Sequence, residues 1–270
     1  MDAGLQDQVV LITGASGGIG GAAARLFDHE GAHLVLHGHR NLAALTALQG
    51  ELVGESLVMS ADLTEEEEVE HLFHKALDRF RKVDILVANA GIWPVADEPI
   101  HRMSLDRWQQ TISTDLTSVF LCARAFFRVL ERTKPEAAAL VIVGSTAAVF
   151  GEEGHADYAA AKAGITYGLT RSLKNEIVRI VPRGRVNAVC PGWTRTPMSA
   201  AGLSDPAHVA RVLQTRALPR IARPEDIAHA ILFLSSDRLA GHITGEVLTV
   251  AGGMEGRLLH LPDMIDPNRA

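Results

Sequence analysis

Tyr158 and Lys162 stand four positions apart in Tyr158-Ala159-Ala160-Ala161-Lys162, and Ser145 lies thirteen positions upstream. On a helix, residues four apart share a face, about one turn from each other. The alanines between them favour that helix and leave the face uncrowded. A phenol with an ordinary pKa near ~10 is a poor base at neutral pH. An ammonium held close favours the phenolate, so the tyrosine can take or give a proton. Ser145 ends the apolar run Leu140-Val141-Ile142-Val143-Gly144, which reads as a buried strand. The end of such a strand is where an open parallel sheet presents its chemistry. Each of these residues taken singly is ordinary, since Tyr and Lys often pair on solvated helices and Ser often ends strands. A proton-transfer reading needs a cofactor signature elsewhere in the chain.

That signature stands near the N-terminus. Val9-Val10-Leu11-Ile12 breaks into Thr13-Gly14-Ala15-Ser16-Gly17-Gly18-Ile19-Gly20, and helix formers follow from Ala22 to His29 until Gly31 stops them. Strand, glycine-rich turn and helix, in that order, let backbone approach a pyrophosphate at the positive end of the helix. The next strand, His33-Leu34-Val35-Leu36, ends in His37-Gly38-His39-Arg40 without the acid that bonds the ribose 2′-hydroxyl of NAD. His39 and Arg40 offer donors to a 2′-phosphate instead, so the reading leans to NADP, with NAD still open.

The remaining elements alternate. Strands are expected at Leu57-Val58-Met59, with Asp62 after it at an edge suited to adenine, and at Ile85-Leu86-Val87-Ala88, ending in Asn89-Ala90-Gly91. Thr64 is expected to cap a helix opening at Glu65–Glu68. Trp93-Pro94 begins a loop running to about Pro99, and a long helix runs from Ser104 towards Thr133. After the Ser145 strand come Gly151-Glu152-Glu153-Gly154 and the Tyr158 helix, to about Ile180. Arg185–Val189 is the sixth strand, broken by Cys190-Pro191-Gly192. A loop-rich stretch over 193–220, with a short helix near His208, reads as a substrate-side lid. A helix from Pro224 to Ser235, a last strand Glu246–Val250 and an irregular tail over 256–270 follow. The fold class is therefore α/β: a Rossmann-like, doubly wound parallel sheet of about seven strands flanked by helices, a single domain over 1–270.

Composition bounds the rest. The 270 residues are 47% hydrophobic and 21% charged, with net charge −6 and a pI near 6.0, which argues against nucleic acid or an anionic membrane as partner. Cys122 and Cys190 make no disulfide framework, and no Cys/His spacing suits a metal. The first eight residues carry no signal core and no stretch is apolar enough to span a bilayer, so a cytoplasmic protein is expected. The outer faces of the two long helices are apolar enough to suggest subunit packing, as a dimer or homotetramer.

Over roughly Asp7–Met254 the chain resembles the short-chain dehydrogenase/reductase family. The resemblance rests on Thr13–Gly20 (TGASGGIG), the ANAG that holds Asn89, Ser145, Tyr158–Lys162 (YAAAK) and Pro191–Thr196 (PGWTRT). It implies hydride transfer between a nicotinamide and a carbonyl or alcohol carbon of a small molecule. Tyr158 is then the general acid/base, Lys162 lowers its pKa and bonds the nicotinamide ribose, and Ser145 holds the substrate oxygen. Gly14, Ser16, Gly18, Ile19 and Gly20 surround the phosphates; Asp62 and Leu63 contact adenine; Asn89 and Gly91 border its ribose. Pro191, Gly192, Thr194 and Thr196 hold the carboxamide end. Trp93, Glu152, His155 and Trp193 are placed around the substrate, with Glu152 or His155 meeting a polar group or merely lying in a solvated loop.

Three departures from the family pattern stand out. Asp115 replaces the asparagine that helps a kinked helix relay protons to the lysine, adding a negative charge near Lys162. Gly17 stands where NADP-preferring members often carry a basic residue. Leu121 and Asn175 stand where carrier-docking members are basic, which ranks 3-oxoacyl-carrier reduction below a simple ketone or alcohol. A nucleotide-binding regulator without turnover is the other alternative.

Overall fold

The protein is described here from a computed structural model covering residues 2–94, 96–255, 258 and 264–266. The irregular tail expected over 256–270 therefore lies almost wholly outside the described residues. In chain order the elements are β1 (Val9–Ile12), α1 (Gly18–His29), β2 (His33–Gly38), α2 (Leu42–Glu51), β3 (Ser56–Ser60), α3 (Glu66–Phe80) and β4 (Ile85–Ala88). Then come α4 (Leu105–Ile112), α5 (Ser118–Thr133), β5 (Ala137–Val143), α6 (Thr146–Phe150), α7 (Ala156–Ala163) and α8 (Thr170–Ile177). The chain continues through β6 (Arg183–Pro191), α9 (Ala200–Leu203), α10 (Pro206–Gln214), α11 (Pro224–Ser235), α12 (Asp237–Ala240) and β7 (Val247–Val250).

All seven strands run parallel in the order β3-β2-β1-β4-β5-β6-β7. Strand residues alternate between two cores, as the period of two requires. Leu11, Val35, Leu86, Leu140 and Val186 pack with α3, α5 and α8 on one face. Val10, Ile12, Leu34, Val87 and Val141 pack with α1, α2 and α11 on the other. The order reverses between β1 and β4, so the ends of these two strands, with those of β5 and β6, open on one crevice.

The elements differ from the expectations in instructive places. Helix α1 begins at Gly18, four residues earlier than Ala22, so the second half of the glycine motif is the helix's first turn. Helix α2 stands where no element is expected; its signals are Asn41, whose side chain caps Ala44 N at 3.2 Å, and the Leu/Ala run that follows. Thr64 does not cap α3: its amide and hydroxyl both donate to Asp62 Oδ1, at 2.9 and 2.7 Å, and Glu65 is the N-cap.

Both long helices are interrupted by a wider π turn, over Ser113–Thr117 and Gly164–Leu169, and the second ends at Ile177. Strand β6 runs on through Cys190 to Pro191 instead of breaking there. Amides of Ala188 and Gly192 bond towards β7, so by alternation Pro191 faces the β5 side, where β5 has already ended at Val143 and no donor is needed. The 193–220 stretch is largely helical, with α9 and α10 closing a small core of Val209, Leu213 and Ile221.

Candidate active site

The glycine loop is shaped by backbone. Gly14 has φ +67°, and a Cβ there would come within 2.9 Å of Ala90 Cα. A Cβ on Gly20 would run into Gly14 O and stand 2.9 Å from Ala15 Cα. The N-cap, Gly17, supplies no side-chain cap, so the first amides of α1 remain available to an anion. Bulk is excluded and donors are presented, which fits the phosphates of a dinucleotide.

Thr13 at the head of the motif, with Asn89 and His37 from beyond it, pins this loop. Thr13 Oγ1 accepts from the amides of Asn89 and Ala90 at 2.9 and 3.0 Å, and Asn89 Nδ2 donates to the carbonyls of Thr13 and Gly14 at 2.9 and 3.2 Å. Asn89 thus reaches the cofactor cleft chiefly by holding its floor. His37 Nδ1 accepts from Gly14 N at 3.3 Å, which leaves Nε2–H to donate to Ala61 O at 3.0 Å. Burial holds this imidazole below its usual pKa, so it stays a neutral tie between β1, β2 and β3.

At the end of β2, His39 and Arg40 are exposed. His39 Nε2 lies 3.7 Å from Asp62 Oδ2, and Arg40 enters no ion pair among the described residues. Leu63 is buried, and Ser16 Oγ lies beside Gly38. Thr196 packs its methyl over Gly18, nearer the phosphate end than the expected carboxamide end, while Thr194 is buried with its hydroxyl on Gly192 O at 2.9 Å.

Ser145, Tyr158 and Lys162 meet at the end of β5. Ser145 is the N-cap of α6 and accepts from Ala147 N at 3.1 Å. Tyr158 and Lys162 share α7 and are both buried; Lys162 Nζ stands 5.6 Å from the Tyr158 ring centroid and donates to Val143 O at 3.3 Å. The expected depression of the phenol pKa is not the net result. Burial pushes Tyr158 up; Lys162 pulls it down, Asp115 pushes it up and Ser145 pulls it down, and the balance lies above the ordinary value. The same company keeps Lys162 charged: burial lowers its pKa, but Tyr158 and Asp115 raise it by more.

Asp115 sits fully buried in the first π turn, its Oδ1 accepting from Ile92 N at 2.7 Å and its Oδ2 without a hydrogen-bond partner among the described residues. A Cβ on Gly91 would stand 2.9 Å from Asp115 Oδ1 and 3.1 Å from Lys162 Nζ, so Gly91 is the gap that lets the two groups face each other. Burial raises the Asp115 carboxyl above the usual range against the pull of Lys162. The arrangement can hold a proton on the phenol, with the charge of Lys162 and the buried carboxyl of Asp115 acting on it in opposite directions.

Aromatic rings pack beside Tyr158. Trp93 stacks on His155 with ring centroids 3.9 Å apart and meets Tyr158 edge-on at 4.9 Å. His155 does not offer a ring nitrogen to substrate: Nε2 lies 2.8 Å from Pro94 O and Nδ1 3.2 Å from Glu153 O. Glu152 is at the exposed rim, its carboxyl raised by crowding from the protein and by Asp97, with His155 opposing. Trp193 packs on His208 and Gly202, inside the lid segment.

A family described as enoyl-(acyl carrier protein) reductase, adh_short_C2, matches residues 14–255. The chain is 37% identical over 254 residues to a 3-oxoacyl-[acyl-carrier-protein] reductase of Synechocystis sp., covering 93% of this chain and 98% of the relative. The chain belongs to the short-chain dehydrogenase/reductase family. It is also 38% identical over 253 residues to the cis-4-hydroxycyclohexanecarboxylate dehydrogenase of Sinomonas cyclohexanicum, covering 92% and 96% of the two chains. A solved short-chain dehydrogenase/reductase from Brucella melitensis, described as glucose/ribitol dehydrogenase, superposes with a TM-score of 0.84 at 33% identity, covering 93% and 98%.

As a short-chain dehydrogenase/reductase the protein is an oxidoreductase that uses a nicotinamide cofactor on a carbonyl or CH–OH carbon. When bound, the nicotinamide supplies or accepts the hydride.

Sequence reasoning brings Ser145, Tyr158, Lys162 and Asp115 to one place, as the structure does, but does not show the ties made by Thr13 and His37, whose partners are far away in the chain. It also misread Leu121, which is buried in the core and so is no surface docking position.

Proposed function

We propose that this protein interconverts a small or medium-sized ketone and its secondary alcohol, with Tyr158 as the general acid/base and NADP as the preferred cofactor. Lys162 keeps the phenolate accessible and bonds the nicotinamide ribose, Ser145 holds the substrate oxygen, and Asp115 tunes the pair from below. Gly14, Ser16, Gly18, Ile19 and Gly20 take the phosphates, with Asp62, Leu63, Asn89 and Gly91 at the adenosine end. Pro191, Gly192 and Thr194 close the nicotinamide end, and Thr196, over Gly18, stands by the phosphates. Trp93 and Trp193 wall the substrate, with Glu152 at the rim and His155 as support under Trp93.

The observation that carries this reading is the meeting of Ser145, Tyr158 and Lys162 beneath Trp93, across the crevice from a loop that excludes side chains. The NADP preference rests on the exposed His39 and Arg40, the latter in no ion pair among the described residues. Ring alcohols belong in the panel, since one relative is named for a hydroxycyclohexane substrate. We further propose that the enzyme is cytoplasmic and self-associates through α5 and α8, near which Phe120 and Val178 stay exposed. No helix among the described residues is long and apolar enough to cross a membrane.

A second reading, reduction of 3-oxoacyl groups on a carrier protein, is favoured by the name of the Synechocystis relative. It no longer has Leu121 against it. Absorbance of the reduced nicotinamide, followed with simple ketones, ring alcohols and acetoacetyl-carrier under NADPH and NADH, decides between the two. Thermal shift with each cofactor tests the preference separately; equal stabilisation by both contradicts the role given to His39 and Arg40.

A further inference from the structure

Arg107 lies outside every motif, yet its guanidinium joins three separate stretches of chain. Its Nε donates to Asp157 Oδ2 at 3.1 Å, and Nη2 lies 3.5 Å from Asp157 Oδ1. Nη1 donates to Ala96 O at 2.6 Å and to Glu98 Oε2 at 3.2 Å. Nη2 also donates to Gly154 O at 3.0 Å. The first partner flanks Tyr158 on α7, the next two belong to the loop after Trp93, and the last to the loop before His155.

We infer that Arg107 is a positioning residue that latches the two loops walling the substrate pocket to the helix that carries Tyr158. The inference rests on the reading of Trp93 as a pocket wall.

Several independent contacts give the latch its rigidity. Asp157 is fully buried and also accepts from Thr111 Oγ1 at 2.8 Å, so the anchor is fixed from both α4 and α7. Burial pushes the Asp157 carboxyl up, but bonds from Arg107 and Thr111 bring it below the usual range, so it stays charged opposite Arg107. The two loops also touch directly: Glu98 N donates to Gly154 O at 3.0 Å, and a Cβ on Gly154 would stand 3.0 Å from Asp97 Cβ. His155 then carries the fixed geometry to Trp93 through its bond to Pro94 O and its stacked ring. A planar fork with five donors can serve these acceptors together, whereas one ammonium cannot. Lysine at 107 therefore keeps the charge beside Asp157 but gives up the bonds to Ala96, Glu98 and Gly154 and so releases both loops.

The test compares Arg107→Lys and Trp93→Ala with the wild type. Hydrogen exchange is followed on peptides holding Trp93, Asp97 and Gly154, alongside steady-state kinetics with NADPH, cyclohexanone and 2-decalone. In Arg107→Lys both loops are expected to lose protection together while β1 and β5 keep theirs. KM is expected to rise about 10-fold with kcat within about 3-fold, since the chemistry stays intact and only the placement of substrate loosens. NADPH affinity should be unchanged. Retained protection in either loop, or a KM within about 2-fold of wild type while Trp93→Ala raises it, overturns the latch. A wild-type KM in Trp93→Ala overturns the pocket-wall reading instead and leaves the latch to stand on the exchange result.

Discussion

The two halves of the crevice are built by different means. On the cofactor side, β1, the glycine loop and α1 are contiguous, and their shape follows from where a Cβ cannot fit. On the substrate side, segments 46 to 61 residues apart are tied by side chains, through Arg107, Asp157, Thr111 and His155. The first kind of construction tolerates no added atom and is built on contiguous chain, with Asn89 and His37 as its distant ties. The second depends on single polar groups with distant partners, and losing one releases a wall without unmaking the fold.

Substitutions separate the two. The largest effect is expected from Lys162→Met, which removes the cation favouring the Tyr158 phenolate: turnover should fall by about 10²- to 10⁴-fold while the fold persists. Stopped-flow rates under saturating cofactor check this, and a loss under about 5-fold would detach Lys162 from the proton transfer. Gly20→Ala comes next. Its Cβ meets backbone that cannot step aside, so a stability loss of about 1–3 kcal/mol and a cofactor affinity weakened by about 100-fold are expected, read by thermal melting and NADPH titration. Arg107→Lys should show the opposite signature, with cofactor affinity kept and KM raised. If Gly20→Ala raised KM for ketone alone, or Arg107→Lys weakened NADPH, the contrast between the halves would dissolve.

The smallest effect is expected at Asp115, and its sign follows from charge. The Asp115 carboxylate raises the Tyr158 pKa, so Asp115→Asn should lower it and move the alkaline rise of alcohol oxidation to lower pH. Ketone reduction, which needs the protonated phenol, should lose rate at correspondingly lower pH. Stability responds too. The folded pKa of Asp115 is raised, so its contribution is intact below the unfolded value of 3.8 and is lost as pH rises through the folded one. Near pH 8 the asparagine variant should melt about 2–4 °C higher, consistent with about 1 kcal/mol, and the gain should shrink in acid. An unchanged pH–rate profile would remove Asp115 from the proton-transfer unit.

The same contrast decides what could be read before any coordinates. Glycines 14, 18 and 20 announce themselves because the strand, turn and helix they join adjoin in the chain, although the atoms crowding Gly14 and Gly18 belong to Ala90 and Thr196. The Tyr158–Lys162 pair is legible for the same reason, being one helical turn. Asp115 could be singled out, yet nothing local showed that it lies buried opposite Gly91. His37 looked like part of a basic strand end, whereas its neighbour across the sheet turns it into a neutral tie. Arg107 and Asp157 sit fifty positions apart, and no periodicity marks either one. The π turns were equally silent, since their sequences are ordinary helix formers. The net rise of the Tyr158 pKa was missed because burial is set by the whole fold, while the lysine's pull is set by spacing alone.

The central claim is that the Tyr158 hydroxyl moves the proton while the glycine loop independently holds the cofactor. Tyr158→Phe tests both parts in one preparation. The account predicts NADPH affinity within about 3-fold of wild type and turnover of the best ketone reduced by at least about 10³-fold. Turnover within about 10-fold of wild type, with the cofactor still bound, would contradict it.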